Sequence, residues 1–207
     1  MMKNIRWKIL ITTCIVCLLP ILPGMVLQEN LPADMAIHFN IAGEPDDFAS
    51  KGFVVYGLPC LMMLLQIICC VVNDINVRKY GSAPKFEMIT KWILPVIAVA
   101  LQIVTLLYNL GWGVDIRKVV ALIIGCVFLI VGVCLPEVNY VKNFKVDAEK
   151  ARKINRFFGI EMTVMGILAL IIMFLPPIAA IVWLFALIPT IIIGVVYSFK
   201  IKHEKDE

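Results

Sequence analysis

Six long apolar stretches alternate with short polar segments along the chain. Each stretch is close to the ~20 residues that an α-helix needs to cross ~30 Å of hydrocarbon. Because unpaired backbone groups are very costly in lipid, each stretch is expected to be helical. The pattern predicts an all-α polytopic membrane protein, a six-transmembrane-helix bundle forming a single membrane domain over residues 1–207. The predicted helices cover residues 9–27, 53–72, 92–110, 119–135, 160–175 and 178–197.

The composition supports a lipid bilayer as the environment of these helices. Apolar residues make up 61% of the chain and charged residues only 16%, whereas an ordinary soluble domain is roughly half apolar. A soluble fold of this length has too little interior to hide that much apolar surface. All seven cysteines fall within the apolar stretches, so we expect no disulfide framework.

The distribution of lysine and arginine predicts how the chain is oriented. Sixteen of the nineteen lie before the first stretch, after the second, after the fourth and after the sixth. The other three, Lys51, Arg117 and Lys118, lie in the alternate loops. Because cytoplasmic loops carry the excess of basic residues, we expect both termini in the cytoplasm and residues 28–52 outside.

The outward loop over residues 28–52 is the most distinctive polar segment. It holds five acidic residues and a single lysine. Residues 35–39 predict a short strand. Residues 42–46 predict a turn, since glycine supplies a positive φ and proline a fixed one. We expect this loop to fold back over the outer face of the bundle.

The residue types and spacing of this loop resemble the signature loop of the SdpI immunity-protein family. The family's six-helix architecture would span the whole chain. Ala36 stands where family members often have proline, and the family's second signature, before the fifth helix, is not visible. The residues that carry the resemblance are Leu31, Pro32, Ile37, His38, Phe39, Asn40, Gly43, Pro45, Asp46 and Lys51.

The resemblance implies a protein of the bacterial cytoplasmic membrane that protects the cell against a secreted toxic peptide. In the best-known member it also implies signalling, by holding a repressor at the membrane. An acidic outward loop suits a cationic, amphipathic peptide, because its carboxylates raise the local peptide concentration. The alternative is that the acids only solvate an exposed loop.

His38 has three possible roles in this loop. With Asp34, Asp46 and Asp47 it would ligate a divalent cation, although the loop has no second histidine. It would otherwise act as a pH sensor or hydrogen-bond the loop or a helix end. The structural role is the one we expect, with no metal or other cofactor.

The inward loop over residues 136–158 predicts a basic amphipathic helix that leads into the fifth span. Ala151, Ile154 and Phe158 repeat at helical spacing between basic residues. This segment is either an interfacial helix held by anionic lipids or a docking site for a cytoplasmic repressor. The candidate contact residues are Lys150, Arg152, Lys153 and Arg156.

Polar residues are few within the predicted spans. Gln66 with Asn73, and Gln102 with Asn109, are each seven residues apart and follow a proline at the same spacing. We expect interhelical hydrogen bonds, with a polar permeation path as the alternative. Glu161 is expected in the first turn of the fifth helix, where the helix dipole favours an anion.

The chain shows no motif typical of an enzyme. It lacks a nucleophile–base pair, an HExxH sequence, a phosphate loop and paired intramembrane carboxylates. Direct binding of nucleic acid is not expected, because the basic residues flank the membrane. A small-solute or ion transporter is the alternative to immunity. We rank it lower, because no buried ion pair or charged residue in the middle of a span is predicted.

Overall fold

A computed structural model describes residues 5–81, 83–138 and 148–203. These residues form two short strands, β1 (Asp34–Phe39) and β2 (Pro45–Ser50). A π-helical turn, Phe53–Gly57, leads directly into α3, and a 3-10 turn, Leu135–Glu137, follows α5. The α-helices are α1 (Trp7–Leu18), α2 (Ile21–Leu27), α3 (Leu58–Tyr80), α4 (Pro84–Asn109), α5 (Ile116–Cys134), α6 (Ala148–Ile172) and α7 (Pro177–His203).

The predicted fold class is confirmed. Within the described residues, six helical segments are long and apolar enough to cross a membrane, and the only sheet there is the two-stranded one. The chain is therefore a multi-pass membrane protein. The spans are Trp7–Leu27, Phe53–Lys79, Pro84–Asn109, Ile116–Glu137, Glu149–Ile172 and Pro177–His203. Their orientation stays a prediction.

Proline residues mark a break within the first span and the boundary between the fifth and sixth spans. The first span consists of α1 and α2, which meet at Pro20, a residue that cannot donate to the helical hydrogen-bond ladder. The fifth ends at Ile172, earlier than predicted, and Pro177 is the first residue of α7. Proline is favoured at that first position, and the residue before it is steered away from helical geometry.

The chain divides into two compact units. Unit 1 comprises Met1–Ile75 and Thr90–Val119, and unit 2 comprises Asn76–Ile89 and Val120–Glu207. The single membrane domain inferred from the sequence stays a prediction.

In unit 1, an antiparallel hairpin of β1 and β2 covers a small apolar core. Asp34 pairs with Ser50 and Ala36 with Phe48, and irregularities follow at His38. The core consists of buried side chains from the hairpin, its flanking segments and α4: Leu31, Met35, Val54, Val55 and Leu106. The strand predicted at residues 35–39 is confirmed, whereas the second strand was not foreseen.

In unit 2, α5 and α6 approach each other through glycines. A Cβ built on Gly132 would lie 2.8 Å from the carbonyl oxygen of Gly159, and one built on Gly166 would lie 2.9 Å from the carbonyl oxygen of Gly125. These distances leave no room for a side chain. Small residues allow such close backbone packing between membrane helices, where there is no hydrophobic driving force between them.

The expected position of Glu161 at a helix terminus is wrong. The basic segment from Ala148 continues without a break into the fifth span, so Glu161 lies thirteen residues inside α6. The helix dipole acts within the first and last turns and does not reach that position. The carboxylate lies instead against α7, since a Cβ built on Gly194 would be 3.0 Å from Glu161 Oε2.

Candidate functional site

The tip of the hairpin is specified by Asn40 and Gly43. Asn40 Oδ1 accepts a hydrogen bond from the Glu44 backbone N–H at 3.0 Å, and the Gly43 N–H donates to the Asn40 carbonyl at 2.9 Å. Gly43 has a φ of +84°, and a Cβ there would lie 3.2 Å from Arg117 Nε. A side chain at position 43 would be both strained and crowded, so the glycine is required.

Lys51 closes the base of the loop. Its ammonium donates to the carbonyl of Gln28 at 2.7 Å and to that of Leu31 at 3.1 Å. Gln28 is the C-cap residue of α2, where carbonyl groups need partners from outside the helix, and Leu31 lies in the segment that leads to β1. Pro32 is exposed between them and β1. The lysine of the motif therefore has a structural function.

His38 joins the two strands near the tip. Its Nδ1 lies 2.5 Å from Asp46 Oδ1, and the two side chains are 68% and 43% exposed. Among the described residues, no group of three His, Cys, Asp or Glu side chains is placed to hold a metal ion. The contact between His38 and Asp46 is a hydrogen bond within the loop, as the structural role predicts.

The side chain of Asn109 fastens the hairpin to α4. Its Oδ1 accepts from the Ala36 N–H at 2.8 Å and its Nδ2 donates to the Ala36 carbonyl at 3.1 Å. One side-chain amide thus pairs with both the N–H and the carbonyl of Ala36, which point away from β2. Phe39 adds an edge-to-face contact with Tyr108, with ring centroids 4.7 Å apart, and Ile37 packs against the apolar core.

Gln102 makes the expected hydrogen bond between two helices, whereas Asn109 bonds to a strand. Gln102 is 5% exposed, and its Nε2 donates to the Val54 carbonyl at 2.7 Å in the π-helical turn before α3. Gln102 thus holds the turn that follows the hairpin, and Asn109 holds strand β1.

The sequence reasoning missed a buried ion pair between α3 and α4. Lys91 Nζ contacts Asp74 Oδ1, and the side chains are 1% and 5% exposed. Asp74 Oδ2 also accepts the backbone N–H of Arg6 at 3.1 Å. The apolar stretches end at residue 72 and resume at residue 92, so the sequence pattern predicts a loop that contains both residues. The helices continue through them, which overturns the expectation that no buried ion pair is present.

Polar groups of α3 and α4 surround this pair. Gln66 Nε2 donates to the Lys91 carbonyl at 2.8 Å, and Asn73 Nδ2 donates to Thr90 Oγ1 at 2.7 Å. These are the interhelical hydrogen bonds expected from the seven-residue spacing. Gln66 Oε1 and Asn73 Oδ1 are buried and have no hydrogen-bond partner among the described residues.

The basic residues proposed for a cytoplasmic partner lie on the first three turns of α6. Arg152, Lys153 and Arg156 are exposed, and Lys150 is half-buried. Lys153 Nζ lies 3.1 Å from Glu149 Oε1 in an exposed i,i+4 pair, an arrangement that contributes little to stability. Residues 139–147 of the predicted basic segment lie outside the described residues.

Comparison with known proteins gives one match. A family model described as Domain of unknown function (DUF1648) matches residues 15–63, and this domain is found in membrane proteins. The matched segment includes the hairpin and both helical segments that flank it. No curated protein and no solved structure matches the chain.

Proposed function

We propose that this protein belongs to the SdpI immunity family and protects a bacterial cell against a secreted toxic peptide. The observation that supports the proposal best is the use made of the motif residues. Asn40, Gly43 and Lys51 of the motif hold the hairpin, and Asn109 of α4, outside the motif, anchors it. The second strand of the hairpin carries exposed acidic side chains, Asp46 and Asp47. A rigid acidic strand is a suitable receptor for a cationic peptide.

The outer edge of β2 is the proposed place for a peptide, which would take over the Phe48 N–H from the Asp47 carboxylate. The Lys51 N–H donates to the Ala33 carbonyl, so in this register Ala36 and Phe48 point their backbone groups away from each other. Asn109 occupies those of Ala36. The Phe48 N–H donates to Asp47 Oδ1 at 2.9 Å, and the Phe48 side chain is 54% exposed. An extended cationic peptide adds to such an edge by backbone pairing, with its apolar side chains on Phe48.

A killing assay tests this proposal. The chain is expressed in a strain sensitive to related peptide toxins, and survival is compared for the wild type and the Asp46→Asn/Asp47→Asn double variant. We expect protection by the wild type, weaker protection by the variant, and a smaller difference at high salt. Glu137→Gln, which removes an acid outside the loop, is the matched control. Unchanged killing by every toxin in the panel would contradict the proposal.

The proposal requires the hairpin to face outward from the cytoplasmic membrane. The test labels an Ala42→Cys variant, in a chain whose seven native cysteines are replaced by alanine, in intact cells with a membrane-impermeant maleimide. Labelling without permeabilisation is expected, whereas labelling only after the membrane is opened would reverse the orientation. A Ser198→Cys variant near the C-terminal end of α7 is the control with the opposite expectation.

We also propose that the basic start of α6 captures a cytoplasmic repressor. The exposed side chains of Arg152, Lys153 and Arg156 lie along one helix that continues into the membrane. The test is recovery of a DNA-binding protein with the detergent-solubilised chain in the presence of toxin. Recovery lost in Arg152→Gln/Arg156→Gln would support the assignment, and no recovery with the wild type would remove it.

A small-solute or ion transporter is the second candidate function. The buried Asp74–Lys91 pair favours it, because ionisable residues inside membrane bundles commonly mark ion or proton pathways. Vesicle uptake that is lost in Gln66→Leu or Gln102→Leu would support transport. Equal uptake by vesicles with and without the protein would exclude it for the solutes tested.

A further inference from the structure

Stability alone does not account for the Asp74–Lys91 pair. Both residues lie in segments long and apolar enough to cross a membrane, and both side chains are at least nine-tenths buried. Removing two charges from water costs several kcal/mol per ion, and apolar replacements of similar size are often equally stable. A buried ion pair that gives little net stability is therefore a candidate site for binding an ion or for exchanging a proton.

The groups beside the pair are rich in oxygen acceptors. Gln66 is fully buried and its Oε1 lacks a hydrogen-bond partner among the described residues, as does Asn73 Oδ1. Their amide nitrogens are fixed by Lys91 and Thr90, so both oxygens lie at the α3–α4 contact that contains the pair. An unpaired buried carbonyl oxygen carries a desolvation penalty, which a bound cation or water relieves.

We propose that Asp74, Gln66 and Asn73 form a site for a small monovalent cation such as Na⁺, which binds in exchange for the proton of Lys91. Carboxylate and amide oxygens are the ligands of hard cations. The exchange balances in charge: Na⁺ takes the place of the ammonium beside the Asp74 carboxylate, Lys91 becomes a neutral amine, and one H⁺ is released. The inference does not depend on the peptide-immunity proposal.

Other titratable or charged groups adjoin the pair. Arg6, at the start of α1, donates its backbone N–H to Asp74. Two thiols of α3 are also near. The Cys69 thiol donates a hydrogen bond to the Thr90 carbonyl, and the Cys70 sulfur accepts one from Gln66 Nε2. Glu87, one turn before Lys91 on α4, accepts the Ala83 N–H at 2.6 Å. The proposal assigns the released proton to Lys91 and to none of these groups. Loss of proton release in a variant without the Lys91 ammonium tests that assignment.

Proton release on addition of Na⁺ tests the proposal. The purified full-length protein in weakly buffered detergent receives NaCl, and a pH indicator dye records the protons released; choline chloride at equal ionic strength is the blank. We expect saturable release of one proton per chain. In Lys91→Gln, Na⁺ binding measured by calorimetry persists without proton release. In Gln66→Leu, the apparent affinity for Na⁺ falls about tenfold, since one ligand oxygen is lost.

Matched variants separate this site from general effects of charge. Lys85→Gln removes a lysine from an exposed pair with Glu137, 82% and 61% exposed, and is expected to release protons like the wild type. Asp74→Asn is expected to abolish both binding and release. If Asp74→Asn does not fold, proton release by the wild type and the Na⁺ affinity of Gln66→Leu still test the proposal. No saturable release from the wild type, or equal release with choline, would overturn the proposal. Release by Lys91→Gln, or unchanged affinity in Gln66→Leu, would overturn the assigned roles.

Discussion

The two compact units hold their helices together by different interactions. In unit 1, contacts between elements run through polar side chains: Asp74 with Lys91, Gln66 with the Lys91 carbonyl, and Asn109 with Ala36. In unit 2, α5 and α6 meet through two glycines on each helix, and the two glycines of a helix are seven residues apart. Hydrogen bonds fix partners and distances, whereas glycines fix only how closely two backbones approach.

This difference separates a region built for specific positioning from one built for close packing. A polar contact in an apolar environment is costly when one partner is missing. A glycine contact depends on volume and is disturbed by any added atom. Substitutions in the two units should therefore fail in different ways, and four of them test the comparison.

The largest effect is expected at the buried ion pair. Asp74→Ala leaves Lys91 buried without its counter-charge and should lower the free energy of unfolding by about 3–5 kcal/mol. The double variant Asp74→Leu/Lys91→Met removes both charges and should regain most of that loss. Unfolding in a denaturing detergent, followed by tryptophan fluorescence, measures both. Equal stability of the single and double variants would show that the pair is not coupled.

The glycine contact of unit 2 should be the next most sensitive. In Gly132→Ala the new Cβ would lie 2.6 Å from Thr163 Oγ1 and 2.8 Å from the Gly159 carbonyl oxygen. We expect a loss of about 1–3 kcal/mol from overpacking. Gly113→Ala, where nothing lies within 4 Å of the added Cβ, is the matched control. Similar losses at both positions would argue against close packing as the cause.

A smaller and more local effect is expected for Asn109→Leu. The substitution removes two hydrogen bonds to Ala36 and should cost about 1–2 kcal/mol. Hydrogen exchange of residues 34–50 should accelerate more than that of α4. Asn155→Leu, which removes one hydrogen bond to the Val138 carbonyl in unit 2, is the control and should leave the hairpin unchanged. A slow-exchanging hairpin in Asn109→Leu would show that the apolar core alone holds it.

The smallest effect is expected at a polar contact of unit 2. Trp183 Nε1 donates to the Met165 carbonyl at 3.1 Å, between α7 and α6. Trp183→Phe keeps most of the apolar contact and loses this bond, at a cost of about 0.6 kcal/mol. Trp112→Phe, at a ring 63% exposed, is the control. A loss as large as that of Asn109→Leu would mean that unit 2 also depends on hydrogen bonds.

The sequence was sufficient for the fold class and for part of the hairpin. Apolar runs of the right length leave few alternatives to membrane helices. Glycine and proline predicted a turn over residues 42–46, and Gly43 does lie in the turn, whereas Pro45 and Asp46 already belong to β2. The partner strand was harder to predict, because residues 45–50 begin with proline and two acids, which are poor strand formers. Strand β1, with which they pair, is anchored by Asn109, a contact between residues distant in sequence.

Asp74 and Lys91 were missed because charged residues were used to end the apolar stretches. One signal was available: Asp74 precedes Ser82 by eight residues and Lys91 follows it by nine. In two antiparallel helices joined by a short turn, residues at similar distances from the turn face each other. The glycines at 125, 132, 159 and 166 offered a similar signal through their seven-residue spacing.

The continuity of α6 has a mechanical consequence. From Ala148 to Gly159 the helix rises about 17 Å, and it continues without a break to Ile172. A tilt of the membrane-embedded portion would therefore swing the guanidinium groups of Arg152 and Arg156 through an arc, with no hinge to absorb the rotation. The far end of this rod would move more than its pivot, so that a slight change within the bilayer is magnified where the chain emerges from it.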